Sequence, residues 1–211
     1  MKYKYILMCG GTYDKFKTPK QLIEVNGEPL VARTIRLLRE NGVKDIAISS
    51  NNKLFEQFDV PVLHHNNNFR VSDRVIGYWV DAFYPTDEPV CYLMGDVCFS
   101  DDAIKKIVET ETDNIEFFAS APPFPKEYTR EWAEPFGFKV QNTDYFKECI
   151  CKTKHLYNMS RFDRHPIAWE LWQVIKNTEL NKIDYSNYTV INDYTCDIDK
   201  PEDAEKLEGY V

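Results

Sequence analysis

The stretch YKYILMCGG, residues 3–11, decides the fold of this protein. Its short run of aromatic and aliphatic residues, bounded by a glycine pair, predicts a buried strand over residues 3–9. The apolar core of a signal peptide needs about 7–15 residues, so we interpret this shorter run as structure and not as a targeting segment.

The segments after Gly11 alternate between strand-like and helical patterns. Strands are predicted over residues 45–49, 60–64 and 90–94, and helices over residues 29–40, 52–58, 72–83 and 101–110. Ser72 and Ser100 are the predicted N-caps of the last two helices. Such alternation is typical of βαβ units, which build a mostly parallel sheet in an α/β protein.

In the second half of the chain, the order of predicted strands and helices is different. Strands are predicted over residues 116–120, 136–140, 189–191 and 194–198, and helices over residues 143–153, 166–177 and from Pro201 onward. We interpret residues 1–211 as one domain, which is close to the upper size for a single core. Residues 112–185 would form an aromatic-rich, irregular insertion on the sheet.

Composition and charge exclude several classes of protein. Aromatic residues make up 14% of the 211-residue chain, which excludes extensive disorder. The net charge is −8, so we expect no nucleic-acid partner. No apolar run approaches the ~18 residues that span a bilayer, and we expect no membrane partner. The six cysteines form no C-x-x-C pair, which favours a reduced, cytoplasmic protein. The sequence leaves the formation of a homo-oligomer open.

The segment after the first strand has the composition of a phosphate-binding loop. Gly10 and Gly11 allow a ligand to approach the backbone closely, and successive N–H groups in such a turn bind anions. Lys15, Lys17 and Lys20 add positive charge. Phosphate is therefore the predicted ligand, and a plain Gly-Gly turn with solvated lysines is the alternative.

Carboxylates follow two other predicted strands. Gly95-Asp96 ends the strand at 90–94, where open α/β sheets bind ligands. Strand alternation places Asp197 and Asp199 on one side of the chain. The three carboxylates together predict a Mg²⁺ site, because this ion prefers oxygen ligands. The alternative is that they serve as turn and helix caps.

In this order the motifs resemble those of the nucleotidyltransferases that act on sugar phosphates, phosphocholine and methylerythritol phosphate. The family pattern is a Gly-Gly loop with a basic residue, then Pro-Lys, Gly-x-Pro-Leu, a middle Gly-Asp, and a closing Asp-x-Asp-x-Pro-Glu-Asp. Matching segments are Gly10-Gly11 with Lys15, Pro19-Lys20-Gln21-Leu22, Gly27-Glu28-Pro29-Leu30, Gly95-Asp96, and Asp197 through Asp203. Tyr13 stands where the family usually has a further glycine, and Lys15 where it has arginine.

The resemblance implies a fold and an activity. The fold would be a three-layer α/β/α, doubly wound, Rossmann-like nucleotide-diphospho-sugar transferase fold with a mostly parallel, mixed sheet. The activity would be transfer of a nucleoside monophosphate to a small phosphorylated acceptor (a sugar phosphate, polyol phosphate or phosphocholine), with release of pyrophosphate. CTP is the favoured triphosphate, UTP and GTP stay open, and Mg²⁺ is the cofactor. Such enzymes commonly serve cell-surface polysaccharide synthesis.

The resemblance also implies roles for individual residues. The nucleotide would be bound by Cys9, Gly10, Gly11, Thr12, Lys15, Lys20, Gly95 and Asp96. The catalytic residues would be Lys20, Lys15 and Asp96, and the metal ligands would be Asp96, Asp197 and Asp199.

Two groups of residues are candidates for binding the acceptor. Arg161, Arg164 and His165 precede Pro166, the predicted first residue of a helix, and an anion bound at that helix end would relieve their conflict with the helix dipole. Tyr128, Trp132 and Phe136 form the second group. Their rings suit a sugar ring or a quaternary ammonium. Solvated charges and core packing are the respective alternatives.

Two other functions are compatible with the sequence. A glycosyltransferase with a related sheet would place Asp-x-Asp after a middle strand, where this chain has Asp96-Val97-Cys98. A nucleotide-binding regulatory module without catalysis is favoured by Tyr13, and the retained Lys20, Asp96 and Asp199 oppose it.

Overall fold

A seven-stranded mixed sheet forms the centre of the protein. The structure, a computed structural model, describes residues 2–11, 16, 18–65, 70–71, 74–75, 77–124 and 132–211. The strands are β1 (Lys4–Met8), β2 (Ile46–Ser49), β3 (Val62–Leu63), β4 (Val90–Met94), β5 (Ile115–Ala119), β6 (Pro135–Val140) and β7 (Thr189–Val190). Their order across the sheet is β7-β5-β6-β4-β1-β2-β3.

The pairing of the strands brings the ends of three parallel strands to one edge of the sheet. Strand β1 is parallel to both β2 and β4, with Leu7 opposite Ile48 on one side and Leu93 on the other. Strand β6 is antiparallel to β4 and β5, whereas β5–β7 and β2–β3 are parallel pairs. The predicted α/β class with a mostly parallel, mixed sheet is therefore confirmed. The carboxyl ends of β1, β2 and β4 meet at one edge, which is the usual ligand-binding edge of such sheets.

Five α-helices occur in the part of the chain that the structure describes. They are α1 (Leu30–Glu40), α2 (Asp101–Glu109), α3 (Thr143–Asn158), α4 (Ala168–Lys176) and α5 (Pro201–Leu207). Phe138 of β6 packs on Phe146 of α3 and Trp172 of α4. Its neighbour Lys139 points the other way and reaches α2. Because successive strand residues face opposite sides, α2 and the α3–α4 pair lie on opposite faces, as the predicted three-layer arrangement requires.

Lys139 carries a cation into the interior, where it caps a helix. The residue is 1% exposed, and its Nζ donates to the carbonyls of Ile107, Val108 and Thr110 at the end of α2. Burial lowers the pKa of Lys139, while Cys91 and Glu111 oppose that shift. The three carbonyls would otherwise lack partners, since the last turn of a helix has none within the helix.

The predicted capping residues explain where two helices begin. The Ser100 hydroxyl accepts a hydrogen bond from the Ala103 N–H at 2.9 Å and starts α2. Pro201 is the first residue of α5, with Glu202 and Asp203 behind it.

The start of α4 differs from its predicted position. The helix begins at Ala168 and not at Pro166. The Glu170 carboxylate explains the difference, because it accepts a hydrogen bond from the Ile167 N–H at 2.9 Å and caps the helix there. Pro166 therefore lies outside the helix, and the basic residues before it do not form its first turn.

The helix predicted over residues 72–83 is wrong. In the part of this segment that the structure describes, Arg70–Val71 pairs antiparallel with Arg74–Val75, and a 3₁₀ turn follows at Trp79–Ala82. Ser72, its predicted cap, lies outside the described residues. Two further 3₁₀ turns occur at Lys20–Leu22 and Lys53–Gln57.

Residues 112–185 contribute two sheet strands and two helices. Among the described aromatic residues of this segment, four are fully buried: Phe117, Phe118, Phe136 and Phe138. Most of the aromatic residues that the structure describes in this segment therefore pack in the core between β5, β6 and the helices.

Two expectations from composition concern the cysteines and the absence of a membrane-spanning segment. All six cysteines are free thiols, and Cys151 is the exposed one. Within the described residues, no helix is long and apolar enough to cross a membrane.

Candidate functional site

The glycine pair lies where three strands end together. The Cys9 N–H donates to the Ser49 carbonyl at 2.9 Å, and the Gly95 N–H donates to the Met8 carbonyl at 3.2 Å. Gly11 has φ of +111°, a conformation that favours glycine. These bonds fix the turn after β1 beside the turn after β4.

Gly95 is required by this close approach. A Cβ atom at this position would lie 2.7 Å from both the Met8 carbonyl oxygen and the Cys9 Sγ. Burial, aided by the charge of Asp96, raises the pKa of the Cys9 thiol, so Cys9 is a neutral packing residue here.

Lys20 joins the first motif to the other two. Its Nζ donates to Asp96 Oδ2 at 3.1 Å and to Asp199 Oδ1 at 3.1 Å. Burial by itself lowers the pKa of Lys20, but the charges of Asp96, Asp199 and Asp197 outweigh burial and raise it. The ammonium group is therefore charged and held between two carboxylates at the sheet edge.

Backbone bonds bring the two aspartate motifs together across 100 residues of sequence. Val97–Cys98 pairs antiparallel with Cys196–Asp197, and the Ile198 N–H donates to the Asp96 carbonyl at 2.9 Å. The Asp203 carboxylate on α5 accepts from the Asp199 N–H at 3.1 Å. The acidic start of α5 thus positions the loop that carries Asp199.

Gln21 supports the glycine turn and was not identified as a site residue from the sequence. It is 3% exposed, and its Nε2 donates to the Gly10 carbonyl at 3.4 Å. The only sequence indication is its place next to Lys20 in the Pro-Lys-Gln-Leu motif.

A crevice of about 390 Å³ opens beside Asp96. Aromatic rings supply much of its wall: Trp79, Trp132, Trp169 and Tyr185. Asp197 and Glu134 line it together with Asp96. The Asp197 N–H donates to Glu134 Oε2 at 3.0 Å, which ties the two acidic residues to each other. The sequence did not single out Trp79 or Tyr185.

The structure separates the three basic residues that we expected to act together. Arg164 lines the crevice, but its Nε donates to Glu170 Oε1 at 2.6 Å. His165 lies behind the wall. Its Nε2 accepts a hydrogen bond from the backbone N–H of Trp79 at 3.2 Å. Burial lowers the pKa of His165, with Glu170 opposing, which fits the neutral ring that this bond requires. Arg161 is exposed and is not a wall residue.

The aromatic candidates also separate. Trp132 lines the crevice and is 58% exposed. Phe136 is fully buried against Phe99, so it lies behind the wall and does not face a ligand in the crevice. Tyr128 lies outside the described residues, as do Thr12, Tyr13, Lys15 and Lys17 of the glycine loop.

The roles of Asp96, Asp197 and Asp199 as metal ligands stay a prediction. Among the residues that the structure describes, no group of three or more His, Cys, Asp or Glu side chains is arranged to hold a metal ion. Asp96 and Asp199 come together around the Lys20 ammonium, while Asp197 bonds toward Glu134 through its backbone.

Known structures share this architecture. The 4-diphosphocytidyl-2C-methyl-D-erythritol synthase of Anaerococcus prevotii aligns over 99% of this chain and 98% of its own, with 13% identity and a TM-score of 0.56. The CTP:phosphocholine cytidylyltransferase of Streptococcus pneumoniae aligns over 100% and 99%, with 15% identity and a TM-score of 0.52. At such identities the likeness shows the fold alone. No curated protein sequence matches the chain.

The sequence comparison with protein families is more specific. The sequence model of the MobA-like NTP transferase domain matches residues 5–138, which is more than half of the chain. This range includes the glycine turn, Lys20 and Asp96, whereas Asp199 lies beyond it. The chain therefore belongs to the family of MobA-like NTP transferase domains, and the residues at the carboxyl ends of β1 and β4 fall within the matched part.

Proposed function

We propose that this protein transfers a nucleoside monophosphate, from CTP in preference to UTP or GTP, to a small phosphorylated acceptor and releases pyrophosphate. The observation that carries the proposal is the position of Lys20, 3.1 Å from both Asp96 and Asp199 at the edge where the glycine turn ends β1. Family membership supports the nucleotidyltransferase class. The preference for CTP rests on the motif resemblance and is supported by the fold shared with the CTP:phosphocholine cytidylyltransferase.

The proposed reaction requires little covalent chemistry from the protein itself. An oxygen of the acceptor phosphate attacks the α-phosphorus of the triphosphate, the new P–O bond forms, and the bond to the bridging oxygen of pyrophosphate breaks. Both reactants are anions, so their approach needs positive charge and N–H donors. Lys20 would supply the charge, and the glycine turn at Gly10-Gly11 would supply backbone donors.

The two carboxylates that Lys20 joins fit a Mg²⁺ ion. Mg²⁺ is commonly held by one or two carboxylates together with substrate phosphates and water. Asp96 and Asp199 have side chains that are 30% and 44% exposed, so their oxygens are accessible to an ion that arrives with the triphosphate. When bound, the ion would neutralise charge on the phosphates.

The crevice beside Asp96 is the proposed place of the acceptor. The crevice is concave. Asp96 both lines it and contacts Lys20, so the crevice adjoins the site of Lys20, Asp96 and Asp199. An acceptor in the crevice would therefore present its phosphate to the edge where the triphosphate binds. We further propose that the reaction takes place in the cytoplasm, as the six free thiols suggest, and that its product serves cell-surface polysaccharide synthesis.

A pyrophosphate-release screen tests the proposal. The four common ribonucleoside triphosphates are incubated with Mg²⁺ against sugar phosphates, polyol phosphates and phosphocholine. We expect release with at least one pair, highest with CTP. Asp96→Asn should abolish it, because the amide loses the charge that faces Lys20. Asp113→Asn is the matched control on an exposed aspartate. An unchanged rate in Asp96→Asn, or no release with any pair, would overturn the proposal.

A further inference from the structure

A buried carboxamide lies directly behind the glycine turn. Resting on the function proposed above, we propose that Gln21 is a positioning residue for the triphosphate. Its side chain holds the peptide between Gly10 and Gly11 in the orientation in which the N–H edge of this peptide faces the phosphates. The proposal depends on the place of Gln21, on the bond that its amide nitrogen makes, and on the burial of its amide oxygen.

The side chain of Gln21 lies between the turns that follow β1 and β4. Gln21 belongs to the 3₁₀ turn Lys20–Leu22 and is 3% exposed. Successive residues of such a turn point about 120° apart, so Lys20 reaches the aspartates while Gln21 reaches the glycine turn. A Cβ atom on Gly95 would lie 3.0 Å from the Gln21 Cγ. The glycine at position 95 therefore leaves room for this side chain.

The bond from Gln21 fixes the direction of one peptide unit. Gln21 Nε2 donates to the Gly10 carbonyl at 3.4 Å. The C=O and N–H groups of a trans peptide point in opposite directions, so the N–H of Gly11 points away from Gln21. Gln21 is buried, whereas Gly10 and Gly11 are half-buried. The N–H edge of this peptide therefore faces the open side of the turn, where a ligand arrives.

A peptide between two glycines needs such a bond to keep its orientation. Gly11 has φ of +111°, and glycine adopts positive and negative φ with similar ease. Without a donor on its buried side, the peptide can rotate and present its carbonyl oxygen to the ligand. A carbonyl oxygen repels a phosphate, whereas backbone N–H groups bind it. The bond from Gln21 thus selects the orientation that binds phosphate.

The amide oxygen of Gln21 indicates that packing alone does not explain this residue. Gln21 Oε1 is buried and has no hydrogen-bond partner among the residues that the structure describes. A buried, unpaired acceptor costs free energy, and an aliphatic side chain of the same shape would avoid that cost. The amide is therefore accounted for by its donor, which is directed to the Gly10 carbonyl.

The first test replaces the amide by an apolar side chain of similar length. In Gln21→Met, the donor to Gly10 and the unpaired oxygen are both lost, so the melting temperature should not fall. Calorimetry with Mg²⁺ and without acceptor measures the affinity for CTP, or for the triphosphate that the release screen prefers. We expect this affinity to fall about tenfold, which is the effect of one hydrogen bond to a charged group.

Two controls separate positioning from a general loss of structure. The affinity for the corresponding monophosphate should be unchanged in Gln21→Met, because the turn is proposed to hold the terminal phosphates. Gln57→Met makes the same replacement at an exposed glutamine that also donates to a backbone carbonyl, and it should bind the triphosphate as the wild type does.

The second test restores the donor by a change of pH. In Gln21→Glu, the ionised carboxylate cannot donate to the Gly10 carbonyl, whereas the protonated acid can. Relative to the wild type, the triphosphate affinity of this variant should be at least about tenfold lower near neutral pH. The loss should shrink as the pH falls toward about 5, because a buried carboxyl group is protonated more readily. Gln21→Met has no titrating group and should show no such recovery.

Two results would overturn the proposal. The first is an unchanged triphosphate affinity in a folded Gln21→Met or Gln21→Glu variant. The second is an equal loss of affinity for the triphosphate and the monophosphate, which would assign Gln21 a structural role only.

Failure of this proposal and failure of the proposed function give different results. If both variants bind the triphosphate as the wild type does and pyrophosphate release continues, the function holds and the role of Gln21 is wrong. If Gln21→Met weakens triphosphate binding selectively but no acceptor supports release, the role of Gln21 in binding holds and the proposed reaction is wrong. If the wild type binds none of the four triphosphates, both are wrong.

Discussion

Replacing Lys20 by methionine removes an ammonium group that contacts both aspartate motifs. Methionine has similar length and no charge, so the change tests the ammonium group itself. In the wild type, two N–O distances of 3.1 Å join Lys20 to Asp96 and Asp199. In Lys20→Met, the two carboxylates face each other without a cation between them.

The expected effect on stability is small. Ion pairs at partly exposed positions are worth about 0–1 kcal/mol each, and the Asp199 side chain is 44% exposed. Loss of both pairs should therefore cost about 0–2 kcal/mol. For a chain of 211 residues, each kcal/mol lowers the melting temperature by about 2–4 °C.

The expected effect on activity is larger. Removing one fixed donor that stabilises charge in a transition state typically lowers kcat by about 10²–10³. The assay is pyrophosphate release with the best substrate pair under saturation, so that kcat is measured. Lys105→Met, on an exposed position of α2, is the control and should retain full activity.

The same variant gives a pH dependence with a defined sign. Burial lowers the pKa of Lys20, but the neighbouring carboxylates outweigh it and raise the pKa above its ordinary value of 10.5. The ion pairs therefore stabilise the fold fully below that pH, and their contribution is lost as the pH rises through the folded pKa. The difference in melting temperature between wild type and Lys20→Met should stay constant through neutral pH and shrink only in strong alkali.

One outcome would refute the proposed role of Lys20. If Lys20→Met melts a few degrees lower but keeps kcat within about threefold of the wild type, then Lys20 only links the two loops and does not act on the phosphates.

Three other variants test how the site and the core are held. Gly95→Ala should destabilise the protein by about 1–3 kcal/mol in denaturant unfolding, because its Cβ would meet a carbonyl at 2.7 Å, whereas Gly209→Ala, with open space around it, should stay within about 0.5 kcal/mol. Burial lowers the pKa of His165 below 6.5, so the stability of the wild type should fall as the pH drops below that value. His165→Gln keeps an acceptor for the Trp79 N–H and should weaken this dependence, and an identical pH profile in the variant would contradict it. Lys139→Met leaves three carbonyls of the α2 end without their donor and should cost about 1–3 kcal/mol, measured by thermal unfolding.

Local patterns were sufficient to predict most of the regular structure. Apart from Lys4 at the start of β1, the strands β1 and β4 are continuous apolar runs, as is typical of strands buried on both faces, and the run alone identifies them. The start of α2 follows from Ser100, whose own side chain makes the capping bond. In these cases the residues that determine the element lie within it or next to it.

Local patterns failed where a distant residue decided the conformation. The segment around Trp79 has apolar spacing that suits a helix, but it forms a 3₁₀ turn. In this turn the backbone N–H of Trp79 donates to His165, which lies far away in the sequence. The start of α4 lies beyond Pro166 for a different, local reason, because the Glu170 carboxylate caps the helix at Ile167 and pairs with Arg164.

The sequence by itself determined the α/β class and placed Lys20, Asp96 and Asp199 in motifs at the ends of elements. Those positions follow from short-range patterns, since glycine pairs and acidic residues mark where strands stop. Only the tertiary structure decided that Lys20 lies between the two aspartates, and that Trp79, Trp169 and Glu134 share one crevice. These residues are far apart in the chain, and their contact depends on the strand order and on the bonds that join the loops after β1, β4 and β7.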